Sequence, residues 1–569
     1  MENKSLKHDG LNLSNAEDLQ QSYSAAKDAF EKAERGAIKF VVIKLAPDCI
    51  NDIQVIKDFI ELCVNNGAKP VGVVFPVAAA VKKTYSKKLL KNFREMIHQL
   101  EKNSEFFCVD MLDLNLGQNY FSDATHLGTR GIVTAEALLN LKLYKKNLIP
   151  VENFCDMSYA YFNLLALNAP KDEYNALMEN VFKASVQMIR SKDKIKIGFV
   201  LYDSAIWSGD ELYNYFAQDS RFEVTIYLCL RADTANMELV RRSFLYSLKQ
   251  FETHKLKVVP IKSPNEPIPE HDIFIFLTPY FAVLPVALHP VNITAKTLIA
   301  YVPYGFSALK YNVANHMMSR FVWKFFFTSK VALETYDRLC KVGMPRGLYS
   351  GYPKTDIFFD KNAKFHFDWK MTRPDAKKII YAPHWSINSN ANYSTFQWNF
   401  KFMYEFAKAH PETSWVFKPH PNLLFSAITE RVFPSAEALK EYLQEWDKLP
   451  NAIFYTGAYY QDIFATSDGM ILDSCSFLVE YQFVDKPMIF LTRAGEQFNK
   501  IGEAILKASY TVDGRDLNSI AELMQKVFID GKDDKAAKRK KVFDEYLNYP
   551  KYTGMSASEF IYKNIADEF

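Results

Sequence analysis

Short apolar runs alternate with amphipathic helical stretches along nearly the whole chain, and this alternation restricts the fold more than any other feature. KFVVIKLA (39–46), KPVGVVFPV (69–77) and FFCVDML (106–112) are strand-like, with helical patterns such as KKLLKNFREMIHQLEK (87–102) between them. The same rhythm returns in IGFVLYD, FEVTIYLCL, DIFIFLT and TLIAYVP between 197 and 303. It returns again in KIIYAPHW, SWVFKP, AIFYTG, GMILDS and PMIFL between 378 and 491. Strand–helix alternation puts strands side by side and parallel, with helices over both faces. The expected class is therefore α/β.

A chain of 569 residues exceeds what one core can organise. The pattern divides it into an α/β block over 1–150, a helical connector over 151–194, a second block over 195–372, a third over 373–530 and a helical tail over 531–569. Blocks two and three read as a tandem of Rossmann-like domains, in which ligands bind beyond the carboxyl ends of the strands.

A net charge of +3 argues against a nucleic-acid surface. No apolar run reaches the ~18 residues of a membrane span, and the polar N-terminus shows no leader. Seven scattered cysteines without CxxC spacing predict reduced thiols in a cytoplasmic protein and no zinc site. Asp203, Asp210 and Glu211 follow no metal-ligand spacing, so metal-independent chemistry, or a loosely bound divalent ion, is expected.

Polar groups gather just past the strand ends of block three. His384 and Trp385 follow KIIYAP, and His420 follows SWVFKP between Pro419 and Pro421. Asp462 follows AIFYTG, and Asp473-Ser474-Cys475-Ser476 follows GMIL at the start of a helix. Flanking prolines stiffen the His420 loop. A helix start has free N–H groups that suit an anion. The plainer alternatives are N-capping by Asp473 or Ser474 and a solvent-facing His420.

YAPHW, FKPHPNL and SDGMILDSCSFLVEYQFVDKPMIFL together resemble the CDP-glycerol glycerophosphotransferase family of GT-B-type enzymes. The likeness covers about 195–530 and includes GLYSGYPKTDIFF, where Gly351 and Pro353 also read as simple turn residues. It implies two Rossmann-like domains in a GT-B arrangement and a nucleotide-activated donor, with CDP as the carrier. It implies no further cofactor, and a hydroxyl of a bacterial surface polymer as acceptor. His420, Ser474, Ser476, Glu480 and Asp473 are the implied donor-binding residues, with His384 and His420 at the chemistry. Tyr304, Gly305 and Lys310 fall on the acceptor side. There the family has a histidine before the glycine and this chain has Tyr304, which leaves His316 as the nearest candidate base. Contact of the tail lysines with the inner face of the plasma membrane is a further expectation.

In block one, FSDATHLGTRG (121–131) resembles the last motif of SGNH-type hydrolases, in which Asp123 and His126 would be the acid and base of a triad. The first strand and nucleophile of that fold are expected before residue 10, and nothing like them is there. This reads as an incomplete SGNH-like, flavodoxin-like domain. Two other readings stay open: an esterase or O-acyltransferase whose GT-B-like half binds polymer, and a non-catalytic nucleotide- or glycan-binding protein.

Overall fold

The computed structural model describes residues 10–123, 126–232, 237–310, 316–340, 347–388 and 392–569. The chain forms two compact units. One holds the residues up to Met188 together with Pro290–Lys296, and the other holds the remainder.

In the first unit, β1 (Gly10–Leu13), β2 (Phe40–Leu45), β3 (Lys69–Val74) and β4 (Phe107–Asp110) make a parallel sheet in the order 1-2-3-4. β1 escapes the sequence pattern because it is four half-buried residues at a sheet edge. The helices Glu152–Cys155 and Tyr159–Asn168 belong to this unit, where Asn140 donates to the Tyr161 hydroxyl at 3.2 Å. Pro290–Lys296 joins them through a hydrogen bond from the Tyr159 N–H to the Ile293 carbonyl.

The second unit contains two parallel sheets. One has β5 (Ile195–Leu201), β6 (Phe222–Cys229), β7 (Val258–Ile261), β8 (Ile273–Phe276), β9 (Leu298–Tyr301), β10 (Lys324–Phe327) and β11 (Gly347–Tyr349). Their order is 11-10-9-8-5-6-7. The other has β12 (Lys377–Ala382), β13 (Thr413–Phe417), β14 (Ala452–Phe454), β15 (Gly469–Leu472), β16 (Met488–Thr492) and β17 (Tyr510–Asp513), in the order 14-13-12-15-16-17. Each sheet reverses direction once, between β5 and β8 and between β12 and β15. Each reversal is a topological switch point, where a crevice opens beyond the strand ends. Two such sheets in one unit make the GT-B arrangement.

The strands of the last sheet are apolar on both faces because both are covered. Ile379 and Tyr381 of β12 join one core with Trp415 and Phe417, while Ile380 and Ala382 join the other with Val416 and Leu472. This is the alternation of a strand.

The tail crosses back onto the sheet of β5–β11. Gly351 has φ +85°, and a Cβ there would lie 2.2 Å from the Tyr549 ring, so glycine is required for close approach as well as for backbone. The Tyr549 hydroxyl donates to Asp356 at 2.6 Å. The same carboxylate accepts the backbone N–H groups of Ala557 and Ser558 at 2.8 Å each, holding the final helix Ala557–Ala566. Gly351 thus does more than mark a turn. Arg539, within the basic run of the tail, is buried between Asp485 and Asp533.

Candidate functional site

Both switch points of the second unit feed the same cleft. β5 ends at Leu201 and leads to Asp203–Ile206, and β12 ends at Ala382 and leads to Pro383-His384-Trp385. β13 leads to Lys418-Pro419-His420, and β15 leads to Asp473–Ser476. Segments from all four line a cavity of about 330 Å³ that includes Ser204, His384, Lys418, His420, Ser474, Ser476 and Glu480. A neighbouring cavity of about 340 Å³ shares Tyr304, His384, His420 and Ser476 with it. These four residues are the junction of the two spaces.

The two imidazoles at the junction have ring centroids 5.5 Å apart. The Asn422 N–H donates to His420 Nδ1 at 3.1 Å, and the Ser386 N–H donates to His384 Nδ1 at 3.3 Å. Nδ1 is therefore the acceptor on each ring, and the neutral ring carries its proton on Nε2. Burial holds the His384 pKa down at about 4. Burial, with His384 and Lys418 nearby, holds His420 at about 3. Near neutral pH both rings are uncharged N–H donors whose basic nitrogen is already engaged. This arrangement suits binding an anion better than accepting a proton.

Asp473 is buried, 1 % exposed, and does not reach the cleft. Its carboxylate accepts the backbone N–H groups of His384 and Thr395, and the Thr395 hydroxyl at 2.8 Å. Burial raises its pKa to about 6. It is a positioning residue that ties the loop after β12 to the end of β15. Ser474 stands at the N-cap position of the helix Cys475–Glu480 without a capping side-chain hydrogen bond. Neither residue makes the simple cap weighed from the sequence. At six residues, this helix has too few aligned peptides for a large dipole, so the hydroxyls and N–H groups of Ser474 and Ser476 matter more.

Beneath the junction lies a buried charge cluster that sequence reasoning found only in part. The Tyr460 hydroxyl hydrogen-bonds the Glu480 carboxylate. Lys418 Nζ donates to the Gly457 carbonyl at 2.7 Å and lies 5.1 Å from the Tyr455 ring centroid. Lys354 Nζ donates to the carbonyls of Ala205 and Ala458 at 3.2 and 3.4 Å, bridging the loops after β5 and β14. Desolvation pulls Lys418 down to about 7 and pushes Glu480 up to about 7. Lys354 is also lowered by desolvation. Ser204 Oγ, 3 % exposed, has no hydrogen-bond partner among the described residues and lines the same cavity. An orphaned buried hydroxyl there is a place for a polar ligand to bind.

The acceptor-side residues also meet the junction. A Cβ on Gly305 would come within 3.8 Å of Glu480 Oε1 and 3.9 Å of Ser476 Oγ, so the loop after β9 reaches the donor side. The Tyr304 carbonyl accepts the Tyr352 hydroxyl at 2.6 Å. Lys310 is exposed at the wall of the second cavity. His316 lines neither cavity, and its ring sits 5.2 Å from that of Tyr280. Asp462 accepts the His366 N–H at 3.1 Å and lines neither cavity. In the first unit, Asp123 and His126 pair at 2.8 Å, both well exposed. No cluster of three or more metal-ligating side chains occurs among the described residues.

Residues 315–567 match the family model described as CDP-Glycerol:Poly(glycerophosphate) glycerophosphotransferase. No curated protein matches the chain. Among solved structures, the wall teichoic acid polymerase TagF is similar with a TM-score of 0.43 at 13 % identity, over 77 % of this chain and 98 % of that one. UDP-GlcNAc 2-epimerase from Neisseria meningitidis bound to UDP-GlcNAc is similar with a TM-score of 0.43 at 12 % identity, over 66 % and 100 %. The S. aureus MnaA–UDP structure is similar with a TM-score of 0.42 at 14 % identity, over 66 % and 98 %.

Proposed function

We propose, from the glycerophosphotransferase-family match over residues 315–567, that this chain is a transferase using a CDP-linked polyol-phosphate donor and a hydroxyl of a cell-surface polymer as acceptor. The observation that supports the reading best is the junction itself. Two histidines and two serines, from three strand ends, converge on a cleft at the switch point of their sheet.

In such a transfer the acceptor hydroxyl gives up its proton to water or to the departing CMP phosphate, its oxygen bonds to the outer phosphorus of the donor, and the bond from that phosphorus to the CMP oxygen breaks. Negative charge grows on the CMP phosphate as it leaves. Fixed donors aimed at that charge lower the barrier because they need no reorganisation. His384 and His420, held by Asn422, Ser386 and Asp473, are such donors, with the hydroxyls of Ser474 and Ser476 beside them. Lys418, poised near neutrality, gains a reason to be charged once a diphosphate is bound. Glu480, the proposed ribose contact, also faces Tyr460 and the lysines from the floor of the cleft. A ribose contact through its remaining oxygen stays part of the proposal.

A reading as a nucleotide-binding protein without turnover has one specific observation in its favour. Tyr304 stands where the family pattern has a histidine, and its phenol is a poor base at the usual tyrosine pKa of ~10. Membrane contact through the exposed Lys538, Lys540 and Lys541 also belongs to the proposal. Among the described residues, no helix is long and apolar enough to cross a membrane.

The test is calorimetric titration with CMP, CDP, UDP and GDP, followed by assay of CMP release from CDP-glycerol. Selective cytidine-nucleotide binding that His420→Ala removes supports a donor site. Binding without CMP release in the presence of acceptor favours the non-catalytic reading. Absence of binding at millimolar nucleotide rejects both.

A further inference from the structure

The loop after β14 is held by side chains, several of them distant in sequence. Four successive carbonyls each accept a side-chain donor. Thr456 accepts the Tyr246 hydroxyl at 3.3 Å, and Gly457 accepts the Lys418 ammonium at 2.7 Å. Ala458 accepts the Lys354 ammonium at 3.4 Å, and Tyr459 accepts the Tyr455 hydroxyl at 2.6 Å. The Tyr459 ring also stacks on His254, with centroids 3.4 Å apart. Tyr246 lies on the helix Met237–Thr253 and His254 directly follows it, between β6 and β7 of the other sheet. Thr456, Gly457, Ala458 and Tyr460 line the cavity of about 330 Å³, whereas Lys354 and His254 lie outside it.

Lys354 is the side chain that grips both sheets at once. Besides Ala458, its ammonium donates to the carbonyl of Ala205, just past β5, at 3.2 Å, and it lies 4.6 Å from the Tyr460 ring centroid. It is 8 % exposed and stands on the turn Pro353–Phe358, which Asp356 pins to Tyr549 and the final helix. Desolvation lowers the Lys354 pKa, and Glu480, Asp210 and Asp203 act against it.

We propose that Lys354 is a positioning residue for donor binding, which together with His254 fixes the loop after β14 against the loop after β5, so that the cavity is formed before the donor arrives. The inference rests on the transferase reading and adds to it residues outside the cavity. A buried ammonium is costly unless its donors are used. Here they are used on carbonyls from opposite sheets. A neutral side chain of similar length leaves those carbonyls unpaired in a desolvated place, and the two loops lose their tie. A preformed cavity binds more tightly because the ordering cost is met on folding. Losing the tie therefore weakens donor binding.

The experiment is calorimetric titration of the full chain with CDP, run at pH 6. That is below the Lys418 value of about 7, so a change in its protonation contributes little. Lys354→Met should weaken CDP binding about tenfold, a factor equal to ~1.4 kcal/mol. Lys354→Arg, which keeps the charge and the donors, should recover most of the affinity. His254→Ala, at an exposed residue, should weaken binding about threefold while the thermal midpoint shows a folded chain. Unchanged affinity in folded Lys354→Met overturns the inference. So does equal loss in the Met and Arg variants, which would mark a packing effect. Where Lys354→Met does not fold, His254→Ala decides, and unchanged affinity there overturns the inference. A wild type that binds no CDP refutes the donor site and this inference with it. A wild type that binds, with variants that bind equally well, refutes this inference alone.

Discussion

The chain holds two pairs of residues that look catalytic in the sequence, and the structure treats them in opposite ways. Asp123 and His126 touch at 2.8 Å with both side chains more than half exposed. Among the described residues their sheet runs 1-2-3-4 without reversing and shows no switch point. His384 and His420 sit at a switch point, half-buried, with Nδ1 of each committed to a backbone N–H and the loop of His384 held by a buried carboxylate. An exposed ion pair is worth little because water screens it. A desolvated donor held by the backbone is strong and already oriented. A motif becomes a site through burial and second partners, not through residue identity.

The largest expected effect tests the buried pair. His420→Ala should lower transfer by ~10²–10³-fold, the usual loss for one fixed donor to a developing charge. His420→Gln, which keeps an N–H, should recover part of it. Equal loss in both variants would point to proton transfer and break the donor assignment. CMP release against pH reads the same point by comparison: Lys418 and Glu480, both near 7, shape the profile around neutrality, and His420→Gln should leave its inflections in place.

Asp473→Ala comes next, because it leaves three donors buried without their acceptor. Unfolding free energy from urea titration should fall by roughly 3–5 kcal/mol, since each buried donor left unsatisfied costs about 1–3 kcal/mol. A change below 1 kcal/mol would mean that the loop after β12 is held elsewhere.

Acid sensitivity follows. An unfolded histidine takes up its proton near ~6.5, whereas folded His420 resists protonation down to about 3. Between these values the unfolded chain binds more protons, so the histidine's contribution to stability is lost as pH falls. Asp473 and Glu480 are raised to about 6 and about 7, and they oppose this trend because the folded chain keeps protons that unfolded carboxyls release above ~4. Comparison with His420→Gln isolates the histidine. From pH 6.5 to 4 the wild type should lose up to ~3 kcal/mol more than the variant, at 1.36 kcal/mol per unit of pKa difference.

The smallest effect tests the exposed pair. His126→Ala should change the urea midpoint by less than ~0.5 kcal/mol and leave CDP binding unaltered. A larger change would show that this exposed pair contributes more than a screened ion pair does and would narrow the contrast.

The α/β class and the strands of the later sheets are legible because a strand buried on both faces must be apolar throughout, as TSWVF is. Short strands such as Gly347–Tyr349 and Val258–Ile261 are not, since three or four residues carry no periodicity. His384, His420 and Ser476 can be found in the sequence because they follow strand ends. Lys354 and Ser204 could not be singled out. GYPKTD is part of the family likeness, but the contacts of its lysine with Ala205 and Ala458 lie 149 and 104 residues away.

What the sequence determined by itself is periodic and local: parallel sheets, loops at strand ends, a proline-stiffened His420 and a glycine at 351. Tertiary structure alone decided which nitrogen of each imidazole carries the proton, that Asp473 holds a loop instead of a ligand, and that an aromatic cavity adjoins a charged one. Those outcomes depend on desolvation and on partners distant in sequence, and pattern reading along a chain registers neither.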